Sequence, residues 1–302
     1  MIGRWVQQTS ICVGLGGVLL TPRTGSAQVV DVYPVPPAAR ARITAANIVI
    51  GAAVGGMRAW SSNRPVRRAV LLGAGGGLTT ALGRQITATG GWPAGFVGRV
   101  VHDVGLGLGS AAVDSHFTVP VHFGPLVARW TPAARRWPLV RVNATNLLYA
   151  TMLASQANTK IDWEATLWSG AVTLQSLYSF DGGVDRASAA PGTIRMRTGS
   201  SRCVPTSSGA RRCRLELAHE TVHIQQMDML HDWIGQPIED AVIMRRLRRH
   251  RVFRHVELGA VGPLSIAGIE RLRRYDTRWS EYEASWLTAG RGAIPEPRLQ
   301  AK

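Results

Sequence analysis

Three apolar segments rich in glycine lie in the first part of the chain and restrict the folds open to it. A Gly- and Ala-rich region runs from 42 to about 114, and the bounds of the three segments are 43–60, 66–87 and 92–115. Glycine is costly in a water-exposed helix, whereas small residues three or four apart let two helices approach closely, in membranes especially. The segments therefore predict three tightly packed helices.

Two locations are open to these helices, the interior of a soluble domain and a membrane. Each uncharged run is near or below the roughly 20 residues that a span needs. Charged residues also interrupt the series, among them Arg67, Arg84, Arg99 and Asp103. These features favour packing in a soluble domain, with a membrane location as the alternative.

From residue 116 the apolar pattern changes to the two-residue period of a β-strand. Phe117, Val119, Val121 and Phe123 alternate with other residue types, which is typical of a strand with two different faces. Three more strands are predicted at 138–150, 161–174 and 192–198. Helices, then strands, then helices again indicate an α+β fold with a small, mainly antiparallel sheet.

The first 27 residues have the features of a signal peptide. Arg4 provides a positive charge, the run 11–20 is apolar and short, and Gly25-Ser26-Ala27 offers a cleavage site of small residues. A Pro-rich linker is predicted at 28–41. These features indicate a secreted protein or one of the periplasm or cell envelope.

Removal of the signal peptide leaves two cysteines, Cys203 and Cys213. They flank a turn-rich stretch, VPTSSGARR. In an oxidising compartment a disulfide between them, closing a hairpin, is the expected state.

The formal net charge is +16, and only two of the 35 basic residues are lysines. Such use of arginine also results from a biased genome composition. A functional interpretation would require an anionic partner, and an anionic membrane surface is a candidate. The sequence has no nucleic-acid module and no alternation of aromatic and basic residues, so a nucleic-acid partner is not expected.

A His-Glu-x-x-His motif lies at 219–223, on a helix predicted from 216 to about 231 and ended by Pro237. Residues four apart share one face of a helix. His219 and His223 would therefore project together and hold one Zn²⁺ ion. Glu220 would take a proton from zinc-activated water, and Gln226 would donate or accept a hydrogen bond behind the histidines.

A zinc site of this kind needs a third ligand from elsewhere in the chain. The metzincin pattern requires a third histidine six residues after the second, and Met229 stands there, which excludes it. His231 has a spacing that fits no known helix-turn arrangement. A carboxylate from Glu281-Tyr282-Glu283-Ala284, on a helix predicted at 265–288, is the remaining candidate.

His-Glu-x-x-His with a downstream Glu-x-x-Ala resembles the gluzincins, a group of zinc peptidases. The chain is also similar to secreted bacterial proteins that have Gly-rich helices, a small sheet and HExxHxxQ. The resemblance implies a zincin-like fold with Glu281 as the third ligand and Glu283 in reserve. The Asp that often follows the Ala is Ser285 here, so its contact to the histidines would come from Asp228 or Asp276.

The resemblance implies a secreted or envelope zinc metallopeptidase acting on a peptide or protein bound along an edge strand. The donor to the developing oxyanion would be one of Tyr275, Tyr282, His231 and His255. The alternative is a membrane-associated or structural envelope protein whose metal site is not catalytic. The metal-binding region would span 115–290, packed with 42–114 as one unit and followed by a flexible tail at 291–302.

Overall fold

The three glycine-rich segments form helices that lie side by side in one layer. The computed structural model describes residues 37–89, 92–111, 113, 116–134, 137–156, 159–176, 187–197, 207–261, 283–284 and 287. Within it the helices are α1 (Pro37–Ser61), α2 (Val66–Thr87) and α3 (Trp92–Ala111). Helix α2 is central, with α1 and α3 packed along its two sides.

Helix α1 begins at Pro37, so the end of the predicted linker is helical. Proline suits the start of a helix because the first N–H groups have no partner within the helix. Among the described residues one helical stretch, Arg40–Ser61, is long and apolar enough to cross a membrane. A core helix or a signal sequence meets the same criterion.

Four strands form a first mixed sheet in the order β1-β2-β3-β8. The first three strands are antiparallel neighbours, and β8 pairs with β3 in parallel. Their bounds are β1 Val119–Phe123, β2 Leu126–Trp130, β3 Leu139–Asn143 and β8 Val256–Glu257.

A second mixed sheet has the order β4-β5-β7-β6. Its central pair, β5 and β7, is parallel, and both outer pairs are antiparallel. The bounds are β4 Thr159–Ile161, β5 Val172–Ser176, β6 Ala187–Ala190 and β7 Thr193–Arg197. The expected single, mainly antiparallel sheet is therefore two small mixed sheets, and the α+β class is confirmed.

Two predicted strands are each interrupted by a helix. Residues 138–150 contain β3 followed by α4 (Ala144–Ala154), and residues 161–174 contain α5 (Trp163–Ser169) between two strands. In each case the residue before the helix is an N-cap, because Asn143 and Asp162 accept from the backbone N–H three residues ahead.

Helix α6 (Ser207–Leu230) carries the His-Glu-x-x-His motif. Its start makes part of the stretch between the cysteines helical, where a hairpin was expected. Helical conformation does not end at Pro237, because π-helical turns and the short helices α7 (Gln236–Glu239) and α8 (Arg245–Leu247) follow α6. Pro237 is accommodated because it lies in the first turn of α7.

Several predictions lie outside the described residues. They are the signal peptide, linker residues 28–36, Cys203, the side chain of Cys213, Glu281 with most of the last helix, and the tail 291–302.

Candidate metal centre

Helix α6 lies between the helical layer and the second sheet and is held from both sides. Val222 packs against Ile43 of α1 and Ala88 beyond α2, while Ile224 packs on the second sheet. Nε2 of the buried Gln225 donates to Oγ1 of Thr87 at 3.0 Å. These contacts fix the rotation of α6 about its axis, which sets where His219 and His223 point.

The imidazoles of His219 and His223 converge on one position. Their Nε2 atoms are 3.1 Å apart, and the rings are 4.8 Å apart between centroids at an interplanar angle of 80°. Two nitrogens bound to one tetrahedral zinc at about 2.05 Å lie about 3.3 Å apart. The observed separation is that of a hydrogen bond between the two rings, and it is also close to the separation expected for two ligands of a single ion.

The amide of Gln226 fixes which nitrogen of His223 carries the proton. Gln226 Nε2 lies 2.8 Å from Oε2 of Glu283, and Gln226 Oε1 lies 3.0 Å from Nδ1 of His223. A carboxylate only accepts hydrogen bonds, so the amide nitrogen must face Glu283 and the amide oxygen must face His223. The neutral His223 is therefore protonated on Nδ1, and its Nε2 lone pair is directed towards His219.

Glu283 is in turn held by residues of the helical layer. Its Oε2 accepts from Arg84 Nη1 at 2.8 Å, and its Oε1 accepts from Asn47 Nδ2 at 2.9 Å. Arg84 Nη2 also donates to Asn47 Oδ1 at 2.7 Å, and all three residues are 0% exposed. We call Asn47, Arg84, Glu283 and Gln226 the orienting chain, because Asn47 and Arg84 hold the Glu283 carboxylate and Gln226 connects that carboxylate to Nδ1 of His223.

Glu283 was the alternative to Glu281 as third ligand, but in the structure its contacts differ from those of a metal ligand. Both of its oxygens accept from Arg84, Asn47 and Gln226, and its path to His223 runs through Gln226. Such a carboxylate behind a histidine ligand raises the basicity of that ligand and fixes its ring.

Glu220 is 6% exposed and adjoins His219 on α6. Glu281, the expected third ligand, lies outside the described residues. Within the described part of the chain no group of three His, Cys, Asp or Glu side chains could hold a metal ion. The described residues are compatible with a zinc ion because they supply two converging nitrogen donors. The remaining protein ligand would have to come from outside the described part of the chain.

Other residues named from the sequence have partners away from the histidine pair. Asp228 forms an ion pair with Arg99 at 2.9 Å. His231 Nε2 lies 3.3 Å from Oε2 of Glu257, and the exposed His255 contacts the carbonyl of Val140. Tyr275, Tyr282 and Asp276 lie outside the described residues.

Asn47 and Arg84 are members of the site that the sequence did not reveal. The available signal was the presence of an amide and a guanidinium in apolar, glycine-rich helices. Such groups are rarely buried without a partner, but spacing alone does not say which residue the partner is.

A second buried group of charges joins β1, β2, β8 and the turn after α6. Its carboxylates are Asp232 and Glu257, which face Arg129 and two histidines, His122 and His231. We call these five residues the ion cluster. Burial disfavours each charge, but the clustered opposite charges outweigh it, so the pKa values of Asp232 and Glu257 are lowered.

The pKa values of the two histidines in the ion cluster are raised. Burial alone would lower the pKa of His122, but attraction by Asp228 and Asp232 raises it well above the ordinary value. Burial likewise opposes the charge on His231, and its contact with Glu257 raises its pKa overall. Both histidines therefore hold their protons above the pH at which a free imidazole loses one.

Comparisons with protein-family models, with curated proteins and with solved structures find no match to this chain.

Proposed function

We propose that this protein is a secreted or envelope zinc metallopeptidase. The observation that carries the proposal is the pair of Nε2 atoms 3.1 Å apart, one of them fixed from behind by the orienting chain. A buried carboxylate that reaches a histidine through an amide is the arrangement expected behind a metal ligand. His219, His223 and Glu281 would hold the ion.

When bound, zinc supplies a Lewis acid that makes water a nucleophile near neutral pH and polarises a carbonyl. Glu220 is the general base. It takes the proton of the attacking water and delivers it to the leaving amine when the peptide bond breaks. Its burial beside His219 strengthens its electrostatic interaction with the reacting groups.

A peptide substrate would bind in extended form along β6. This strand is at one end of the second sheet among the described strands, and it packs on α6 through Ala187 and Ala189. An edge strand offers backbone N–H and C=O groups to an added strand, which would place a peptide beside the metal helix.

The proposal is tested by metal content and turnover measured on the same preparations. After dialysis the full chain should retain about one zinc per molecule and should hydrolyse casein or members of a peptide library. Glu220→Gln should keep the zinc and lose turnover, whereas His219→Ala should lose both. Glu164→Gln, which changes an exposed glutamate on α5, is the matched control.

Zinc content far below one per chain and unaffected by His219→Ala would exclude a zinc enzyme. Zinc retained with turnover equal in wild type and Glu220→Gln would exclude the assigned base. Comparing Glu281→Gln with Glu283→Gln separates the two carboxylates. Loss of a ligand should abolish zinc binding, and loss of the charge behind His223 should only weaken it.

A further inference from the structure

The three-helix layer has an apolar surface on the side away from α6. Every exposed residue in 45–60, 69–88 and 93–111 is apolar. The large ones are Val49, Met57 and Trp60 on α1, Leu71, Leu78 and Leu82 on α2, and Phe96, Val97 and Val100 on α3. We call these nine residues the outer face. A water-soluble helical layer would normally present charged and polar residues there.

Five polar or charged residues of the same helices are turned inward. Asn47, Arg84, Arg99, His102 and Asp103 are all buried. Arg84 pairs with Glu283 and Arg99 with Asp228, so these charges are neutralised inside the protein. Apolar residues outside and paired charges inside are the distribution expected of helices that contact hydrocarbon.

The packing between the helices also indicates contact with lipid. A Cβ atom on Gly76 of α2 would lie 2.7 Å from the backbone nitrogen of Gly109 of α3, so the backbones are in direct contact. Packing through small residues, with the large apolar side chains directed outwards, is characteristic of helices in lipid.

Arginines border the outer face at both ends of α1. Arg64, Arg67 and Arg68 are exposed at the turn from α1 to α2, next to Trp60, which is 79% exposed. Arg40 and Arg42 are exposed at the start of α1. Tryptophan and arginine are favoured at the level of lipid headgroups, and several arginines together attract anionic lipids.

We propose that the outer face is seated in an anionic phospholipid bilayer, with the helical layer on the membrane surface. The opposite side of the layer carries α6 and the sheets. Strands of open sheets are not stable at hydrocarbon depth, so insertion is limited to the outer face, as in proteins that lie in one leaflet. The candidate metal centre would then be held close to the membrane, whether or not it is catalytic.

The insertion can be measured through a single tryptophan. The full chain is mixed with vesicles of phosphatidylglycerol and phosphatidylcholine whose acyl chains carry bromine close to the headgroups, which quenches tryptophans at the boundary between headgroups and hydrocarbon. Trp60→Phe should remove part of the quenched fluorescence. Trp137→Phe, which replaces a tryptophan that is 95% exposed before β3, should remove none. Because the apolar run 11–20 is present in every variant, the difference isolates the outer face.

Vesicle binding measured by co-sedimentation gives an independent test. Leu71→Gln/Leu78→Gln/Leu82→Gln should lower the partition coefficient at least about tenfold, since three leucines lose their burial in lipid. Val242→Gln/Val252→Gln, at exposed valines outside the layer, should leave it unchanged. Binding of the wild type should weaken with salt and with neutral lipid.

Two results would overturn the proposal. One is an unchanged quenched fraction in Trp60→Phe together with equal binding of the triple-leucine variant and wild type. The other is a dimer in lipid-free sedimentation that the triple-leucine variant dissociates, without vesicle binding by the wild type. The second result would assign the outer face to a second copy of the chain.

Discussion

At the scale of single residues, the amide of Gln226 connects the histidine pair to the protein interior. It contacts Nδ1 of His223 on one side and Glu283 on the other. Its neighbour Gln225 is equally buried but bonds to Thr87 of α2. Gln226 therefore positions the ring of His223, whereas Gln225 contributes to the packing of α6 against α2.

We expect Gln226→Leu to weaken zinc binding about 10- to 100-fold, because His223 loses the group that sets its ring and tautomer. Gln225→Leu should lose one buried hydrogen bond, at a cost of about 1 kcal/mol, and should keep the zinc affinity. Chelator competition measures the affinity, and thermal unfolding measures the stability. Equal zinc affinities of the two variants would show that Gln226 does not support His223 as a zinc ligand.

Arg84→Met should destabilise the protein by about 3–5 kcal/mol, because it leaves the charge of Glu283 buried without its cation. Adding Glu283→Gln should recover part of that loss, since the unpaired charge is then gone. Urea unfolding of wild type, both single variants and the double variant measures the coupling. Additive effects would mean that the two side chains do not act as a pair.

Local spacing was enough to identify His219, Glu220, His223 and Gln226 as neighbours on one helix. It could not identify Glu283 as the residue behind Gln226, because these two are 57 positions apart in the chain. Contacts of that kind depend on how α1, α2, α6 and the segment that carries Glu283 meet. Glu283 was considered as a ligand because its residue type fits one, and its burial between Arg84 and Asn47 could not be foreseen.

At the scale of elements, the glycines of α1 and α2 decide how closely the two helices approach. A Cβ atom on Gly51 would collide with the carbonyl oxygen of Gly73, whereas one on Gly75 would meet open space. The same substitution at these positions should therefore have opposite effects.

We expect Gly51→Ala to lower the free energy of unfolding, since α1 and α2 must separate and the buried side of the layer opens. Gly75→Ala should raise it by about 0.5–1 kcal/mol, the intrinsic advantage of alanine in a helix. Denaturant unfolding of both variants gives the comparison. Equal effects would contradict the backbone contact between the helices.

The bounds of α2 were predicted from the sequence, while the strands near α4 and α5 were predicted too long. Asn143 and Asp162 are polar residues at helix N-termini, a readable signal, and Gly170 ends α5 with a positive φ of 66°. The apolar residues of α4 and α5 resemble those of strands, and for that reason these caps were not predicted. The π-helical turns after α6 have no comparable sequence signal.

At the scale of the whole molecule, the ion cluster makes stability depend on pH in two directions. The lowered pKa values of Asp232 and Glu257 give stability that is complete above the unfolded-state values of about 4 and is lost as pH falls below them. The raised pKa values of His122 and His231 give stability that is complete below about 6.5 and is lost as pH rises through the folded-state values.

We therefore expect a maximum in melting temperature between about pH 4.5 and 6.5, where the raised pKa values of His122 and His231 outweigh the pKa of His102, which burial lowers. His231→Gln should make the decline on the alkaline side shallower, and His250→Gln, at an exposed turn residue, should not. Calorimetry from pH 3 to 9 measures the profile. A melting temperature that climbs steadily from pH 6.5 to 9 would contradict protonated histidines in the ion cluster.

The contact between Glu283 and Asn47 joins residues 236 positions apart, which has a consequence for synthesis. A ribosome makes α1, α2 and the histidine helix well before it reaches residue 283. Until then Arg84 lacks its anion, and His223 lacks the carboxylate behind its amide. We expect a chain ending at residue 261, which lacks both Glu281 and Glu283, to bind zinc weakly in a chelator competition, and the 302-residue chain to bind it tightly. Competence to hold the metal would thus arise only after residue 283 has been translated.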